Sequence, residues 1–114
     1  VKSNLKKCDE LWSKIVRSKG ECARCGSRTK QLNSAHIISR VYRQTRWDLD
    51  NGLCLCVGCH FWNHQNPIEF THWVEDKLGI EKVDALRKKA QVIGKVDVDE
   101  VFSYLQEAYN NSQR

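Results

Sequence analysis

Four cysteines and three histidines carry the chemistry legible in this sequence, and their spacing says what kind. Cys22-Ala-Arg-Cys25 and Cys56-Val-Gly-Cys59 are two Cys-x-x-Cys knuckles. Two such knuckles can close four thiolates around one tetrahedral Zn²⁺, a staple from which a small chain gains much stability. The alternatives are two disulfides or a thioredoxin-like redox pair. No βαβ pattern surrounds either knuckle, so zinc is the expectation. The 30 residues between Cys25 and Cys56 exceed an ordinary zinc-ribbon spacer, so something is inserted there. Cys8 and Cys54 fall on apolar stripes and read as core, Cys54 being the substitute if one ligand is misassigned. His60 and His64 lie four apart on a helix expected after the second knuckle. Both imidazoles then project from one face, which suits them to hold one metal ion.

The elements that must position these residues follow from apolar periodicity. Residues 4–18 predict an amphipathic helix with Leu5, Cys8, Trp12 and Ile15 on its stripe, ended by Gly20. A short strand near residues 35–38, a basic loop through Arg40, Arg43 and Arg46, an Asp50-Asn51-Gly52 turn and a strand over residues 53–55 follow. The helix after the second knuckle should run to about Gln65. Asn66-Pro67-Ile68-Glu69 carries an N-cap, a proline at N1 and an acidic N3, with Ile68, Trp73, Val74 and Leu78 as its apolar side. Ile80, Val83, Leu86, Ala90 and Ile93 predict a further helix. Asp97 and Glu100 can cap a last one carrying Val98, Val101, Phe102, Leu105 and Tyr109, with residues 110–114 frayed. Trp62 and the later aromatics are expected in the core, and His72 on the surface or in a structural role. The expectation is one α+β domain spanning residues 1–114. It has a zinc-clamped centre over about 20–66, a helix before it and helices over about 67–109.

The chain has 114 residues, 29% of them charged and 40% hydrophobic, which excludes a disordered tail. No apolar run approaches the ~18 residues of a membrane span, and the first residues lack the apolar stretch of a signal peptide. An intracellular, membrane-free setting is therefore expected. The net charge of +5 is unevenly spread. Residues 1–47 hold 12 basic and 3 acidic side chains, whereas residues 48–114 hold 7 and 11. A basic half beside an acidic one points to a polyanion, nucleic acid first among them. Arg40, Arg43 and Arg46 would meet phosphates, with Arg28 and Lys30 extending the track beside Lys19 and Arg24.

Taken in order, Cys22-x2-Cys25, Ala35-His36-Ile37, Asn51-Gly52-Leu53 and Leu55-Cys56-x2-Cys59-His60 resemble the HNH endonucleases, whose core is a ββα-metal unit. His36 precedes Asn51 by 15 residues, Asn51 precedes His60 by 9, and His64 follows four later, as in the colicin-type nucleases. The resemblance covers residues ~20–66, and the flanking helices look like those of small phage-encoded HNH proteins. It implies a metal-dependent DNA endonuclease with His36 as general base, His60 and His64 holding a catalytic divalent ion, and Asn51 orienting His36 or bracing the loop. The products would carry 5′-phosphate and 3′-hydroxyl ends. One position departs from the pattern. The residue before the base is usually an Asp or His that ligates metal, and here it is Ala35. The ion must rely on His60, His64, water and phosphate, with Asn51 or a backbone carbonyl as a further donor, and imidazole donors favour Mn²⁺, Ni²⁺ or Zn²⁺ over Mg²⁺. The competing expectations are a non-catalytic zinc-ribbon DNA-binding module, or an HNH subunit of a phage packaging or recombination assembly docked through its acidic helices.

Overall fold

A computed structural model describes residues 4–113; Val1–Ser3 and Arg114 of the expected domain lie outside them. The elements in chain order are α1 (Asn4–Arg17), β1 (Leu32–His36), α2 (Arg43–Arg46), a 3-10 turn (Leu49–Asn51), β2 (Gly52–Cys56), α3 (Val57–Gln65), α4 (Pro67–Leu78), α5 (Ile80–Ala90) and α6 (Val98–Ser112). This is the expected α+β class, reduced to one antiparallel pair of strands among helices. Leu32 lies opposite Cys56, Ser34 opposite Cys54, and His36 opposite Gly52.

The hairpin is covered on both faces, which is why β2 reads as a continuous apolar run instead of an alternating one. Ala35, Leu53 and Leu55 face α4 and α5, packing with Phe70, Val74 and Val83. On the other side Cys54 packs with Cys8, Trp12 and Val16 of α1, with Trp47, and with Leu105 of α6. Helix α1 therefore has its stripe buried between the sheet and α6, and Cys8 and Cys54 are core residues as expected. No helix among the described residues is long and apolar enough to cross a membrane.

The departures have physical reasons. β1 starts three residues earlier than expected, at Leu32, because polar Asn33 and Ser34 mask a strand that β2 pairs with regardless. It stops at His36 because the Asn51 side chain takes over the Ile38 backbone, accepting its N–H at 2.7 Å and donating to its carbonyl at 3.0 Å. The basic loop contains a helical turn, α2. Asn66 does not cap α4 with its side chain, which donates back to the Trp62 carbonyl at 3.1 Å; Pro67 is at N1 as expected. Asp97 does cap α6, accepting from the N–H groups of Asp99 and Glu100. Ile93 lies beyond α5 and is 97% exposed, while Ile68 and Tyr104 also face outward instead of joining the core. α6 is helical through Ser112, where fraying was expected.

Gly52 was expected as a turn residue, yet its backbone is extended (φ −114°, ψ 140°). Its role is close approach. A Cβ here would fall 2.5 Å from Val16 Cγ2 and 2.9 Å from Trp12 Cζ2. The missing side chain lets α1 lie directly on the hairpin beside His36.

Candidate metal site and histidine cleft

The first knuckle folds as a tight loop before β1, and the second is the junction of β2 with α3. In the first, Gly26 has φ 77°, a conformation glycine adopts freely, and its N–H donates to the Cys22 carbonyl at 2.9 Å. The two knuckles are fastened to the hairpin by Ala23 N–H donating to Cys54 O and Val57 N–H donating to Gln31 O. The four Sγ atoms of Cys22, Cys25, Cys56 and Cys59 consequently lie within 4.8 Å of one another. Cys25 Sγ and Cys56 Sγ are 3.7 Å apart. Zn–S bonds of about 2.3 Å in a tetrahedron require sulfurs ~3.8 Å apart, so the set could hold a metal ion such as zinc.

The surroundings treat the thiols unequally, burial pushing Cys59 up to about 12 while backbone N–H groups lower Cys56 and Cys22. Cys25 N–H points at Cys22 Sγ (3.5 Å), Cys59 N–H at Cys56 Sγ (3.4 Å), and Arg24 Nη1 at Cys59 Sγ (3.5 Å). Burial pushes the Cys22 thiol upward, but backbone N–H groups outweigh it and bring Cys22 down to about 6. Arg24 also lies over the half-buried Trp62 ring at 3.6 Å, and Trp62 meets Phe70 edge-on. The knuckle is thereby tied to α4. Cys54 belongs to the opposite core and takes no part in the cluster.

His36, His60 and His64 line one cleft of about 700 Å³, together with Asp9, Trp12 and Ser13 of α1, Ser34, Arg40 and Asn63. His36 comes from the end of β1. Its Nε2 is 2.9 Å from the Arg46 carbonyl oxygen, which only accepts, so Nε2 carries the proton and Nδ1 is the basic nitrogen. The ring stacks on Trp12 with centroids 4.0 Å apart and planes 11° from parallel. Burial lowers its pKa, the Arg46 carbonyl opposes this, and Arg40 adds to the lowering.

His60 and His64 stand on successive turns of α3 with their Nε2 atoms 3.3 Å apart. Two nitrogens on one tetrahedral Zn²⁺ at 2.0–2.1 Å would be separated by about 3.3–3.4 Å, so the pair fits one ion. Burial lowers His60, with the neighbouring His64 adding to it. His60 Nδ1 meets the Asn33 side-chain amide at 3.2 Å. Among the described residues, no third Cys, His, Asp or Glu joins these two in a metal-sized cluster. Ala35 is 1% exposed within the core, so β1 directs it away from the side on which His36 meets α1.

Asn51 is fully buried, and its amide is spent on Ile38 N–H, Ile38 O and Thr45 O. It braces the loop between β1 and α2 and makes no hydrogen bond to His36. The basic residues divide. Arg40 lines the cleft and reaches Asp9 at 3.2 Å, while Arg46 is bound to Asp9 through two nitrogens. Arg43 instead faces a small hollow beside α5 and α6 with Lys89 and Tyr104. Arg28 pairs with Glu21 in the first knuckle loop, and Lys30 is exposed nearby.

Sequence reasoning missed Asp9, Trp12, Ser13, Ser34 and Asn63 as cleft residues. Spacing was the available signal. Ser34 is two before His36 on a strand, Asn63 lies between the two α3 histidines, and Asp9, Trp12 and Ser13 share one face of α1. The chain matches no protein-family model, no curated protein and no solved structure.

Proposed function

We propose that this protein is a metal-dependent DNA endonuclease of the HNH type, with β1, β2 and α3 forming a ββα-metal unit on a structural Zn(Cys)4 site. The observation that carries the reading is a half-buried imidazole fixed as the Nε2–H tautomer in the cleft shared by a metal-spaced histidine pair. His36 Nδ1 takes the proton of the attacking water. The depressed pKa keeps the ring neutral at physiological pH, the form a base needs. His60 and His64 would hold the divalent ion, which supplies Lewis-acid stabilisation of the charge gathering on phosphate and leaving oxygen. Arg40 offers a guanidinium to a passing backbone phosphate at the rim. Asn51 holds the loop that carries Arg40 and the α2 carbonyl on which His36 depends. Products would bear 5′-phosphate and 3′-hydroxyl ends.

The test is a supercoiled-plasmid assay on zinc-replete protein with EDTA, Mg²⁺, Mn²⁺ or Ni²⁺, beside His36→Ala. Metal-dependent nicked or linear product is expected, falling about 10²–10⁴-fold in rate in the variant while melting and zinc content stay unchanged. Salt-dependent DNA binding by both proteins with no cleavage under any condition would replace this reading with a non-catalytic zinc-ribbon binding module. Cleavage appearing only when a phage packaging or recombination protein is added would make the chain a subunit of such an assembly.

A further inference from the structure

We propose that helix α1, outside the segment that carries the resemblance, supplies two positioning residues for His36: Trp12 as the plate on which the ring stacks and Asp9 as the tether of the loop that orients it. The proposal rests on the nuclease reading of His36. His36 is held on its edge by the Arg46 carbonyl and on its face by Trp12. The segment bearing that carbonyl is fastened to α1 by four hydrogen bonds. Asp9 accepts from Arg46 Nε (3.1 Å) and Nη2 (2.7 Å), and from Trp47 Nε1 (2.8 Å). One turn along the helix, Trp12 Nε1 donates to Asp48 O at 2.9 Å.

A base that must meet a water at a defined angle loses rate when its ring can rotate or change tautomer. Without Trp12 the His36 face is open. Without the Asp9 carboxylate, the Arg46 and Trp47 side chains lose their anchor on α1, and the segment bearing the Arg46 carbonyl keeps only the bonds from Trp12 to Asp48 and from Asn51 to Thr45. Burial would raise Asp9, but its hydrogen bonds from Arg46 and Trp47 hold its carboxyl below the usual range, so it is an anion whenever the enzyme works. The groups facing His36 are Asp9, Arg40 and Arg46, with His60 and His64 across the cleft. The two positioning residues act on the imidazole differently: Trp12 covers one face of the ring, while the charge of Asp9 favours the cation.

The experiment is long-range ¹H–¹⁵N NMR of His36 in the zinc-replete full chain, for wild type, Trp12→Leu, Trp12→Phe and Asp9→Asn, with plasmid cleavage in parallel. Asp9→Asn should lower the His36 titration midpoint, and both it and Trp12→Leu should mix the tautomers. Both should reduce kcat about 10- to 100-fold with KM little changed. Trp12→Phe should retain most of the tautomer preference. Asp9→Asn, which alters one charge and almost no volume, carries the test should Trp12→Leu fail to fold. His36 signals identical to wild type in a folded Asp9→Asn chain that also cuts normally would overturn the proposal. Shifted His36 signals in the variants, beside a wild-type chain that cuts nothing with any metal, would overturn the nuclease reading and leave the tether standing.

Discussion

The four-cysteine cluster and the histidine cleft lie on the same hairpin and helix, yet they are built on opposite plans. The cysteines come as two short-range pairs, three of the four are buried, and their four sulfurs lie close enough to hold one metal ion among themselves. Nothing further is needed to close the coordination shell, which is what a structural site requires. The histidine pair offers two nitrogens on adjacent turns of α3, and a metal ion held there would keep the rest of its shell open to the cleft. A shell with free positions can accept water and phosphate, and its histidines need outside help to hold their tautomers. At His36 that help comes from α1 and α2. A closed site can be assembled locally; an open one must be held by the surrounding fold.

Breaking the closed site should have the largest effect. Cys56→Ser removes a buried ligand at the β2–α3 junction, and zinc-binding energy in such sites is folding energy. The variant is expected to lose its cooperative thermal transition and its equivalent of zinc together, as seen by circular dichroism and metal analysis. Retention of a full zinc equivalent would mean that Cys54 or another group can substitute.

Opening the histidine site further should cost function without the fold. His60→Ala is expected to weaken divalent-ion affinity by about 10- to 100-fold, with cleavage partly restored at high metal concentration and a melt within a few degrees of wild type. Loss of the structural zinc in this variant would show that the two sites are not independent.

Gly52→Ala sharpens the contrast between the hairpin's two faces. The added methyl meets Val16 and Trp12, both core residues of α1, and should destabilise by about 1–3 kcal/mol in denaturant melts. Zinc stoichiometry should be unchanged, because the knuckles lie at the other end of the strand pair. A neutral melt would mean that α1 shifts off the hairpin without loss.

The smallest effect is a displacement of pH dependence. A base works deprotonated, and burial depresses His36, so the acid limb of kcat should have its midpoint below the ordinary imidazole value of about 6.5 and be flat through neutrality. A midpoint above that value would mean that the titrating base is not His36 in its half-buried setting.

Much of this was legible in the chain. The knuckles, the α3 histidine spacing, Pro67 at N1 and the Asp97 cap are local signals, set by residues within a few positions of one another. The helix stripes placed Cys8 and Leu105 inside, and the apolar run at residues 53–55 marked β2. The strand at Leu32 was not legible, because Asn33 and Ser34 have little intrinsic preference for a strand and owe their conformation to pairing with β2. Nor was the fate of the arginines. Three basic residues at every third position look alike, but only the packing of α1 decides that Arg46 is locked on Asp9, Arg40 borders the cleft and Arg43 turns away.

The sequence by itself therefore determined the donors: which side chains could bind a metal and which could take a proton, because ligand type and short-range spacing are local properties. Tertiary structure alone decided how His36 is held, by laying Trp12 and Asp9 of α1 against residues more than twenty positions away. It also decided that Asn51 braces and Ala35 packs, since a buried amide must satisfy its hydrogen bonds wherever the fold brings partners. Contacts of that kind depend on how helices pack across a sheet, and no spacing within the chain records them.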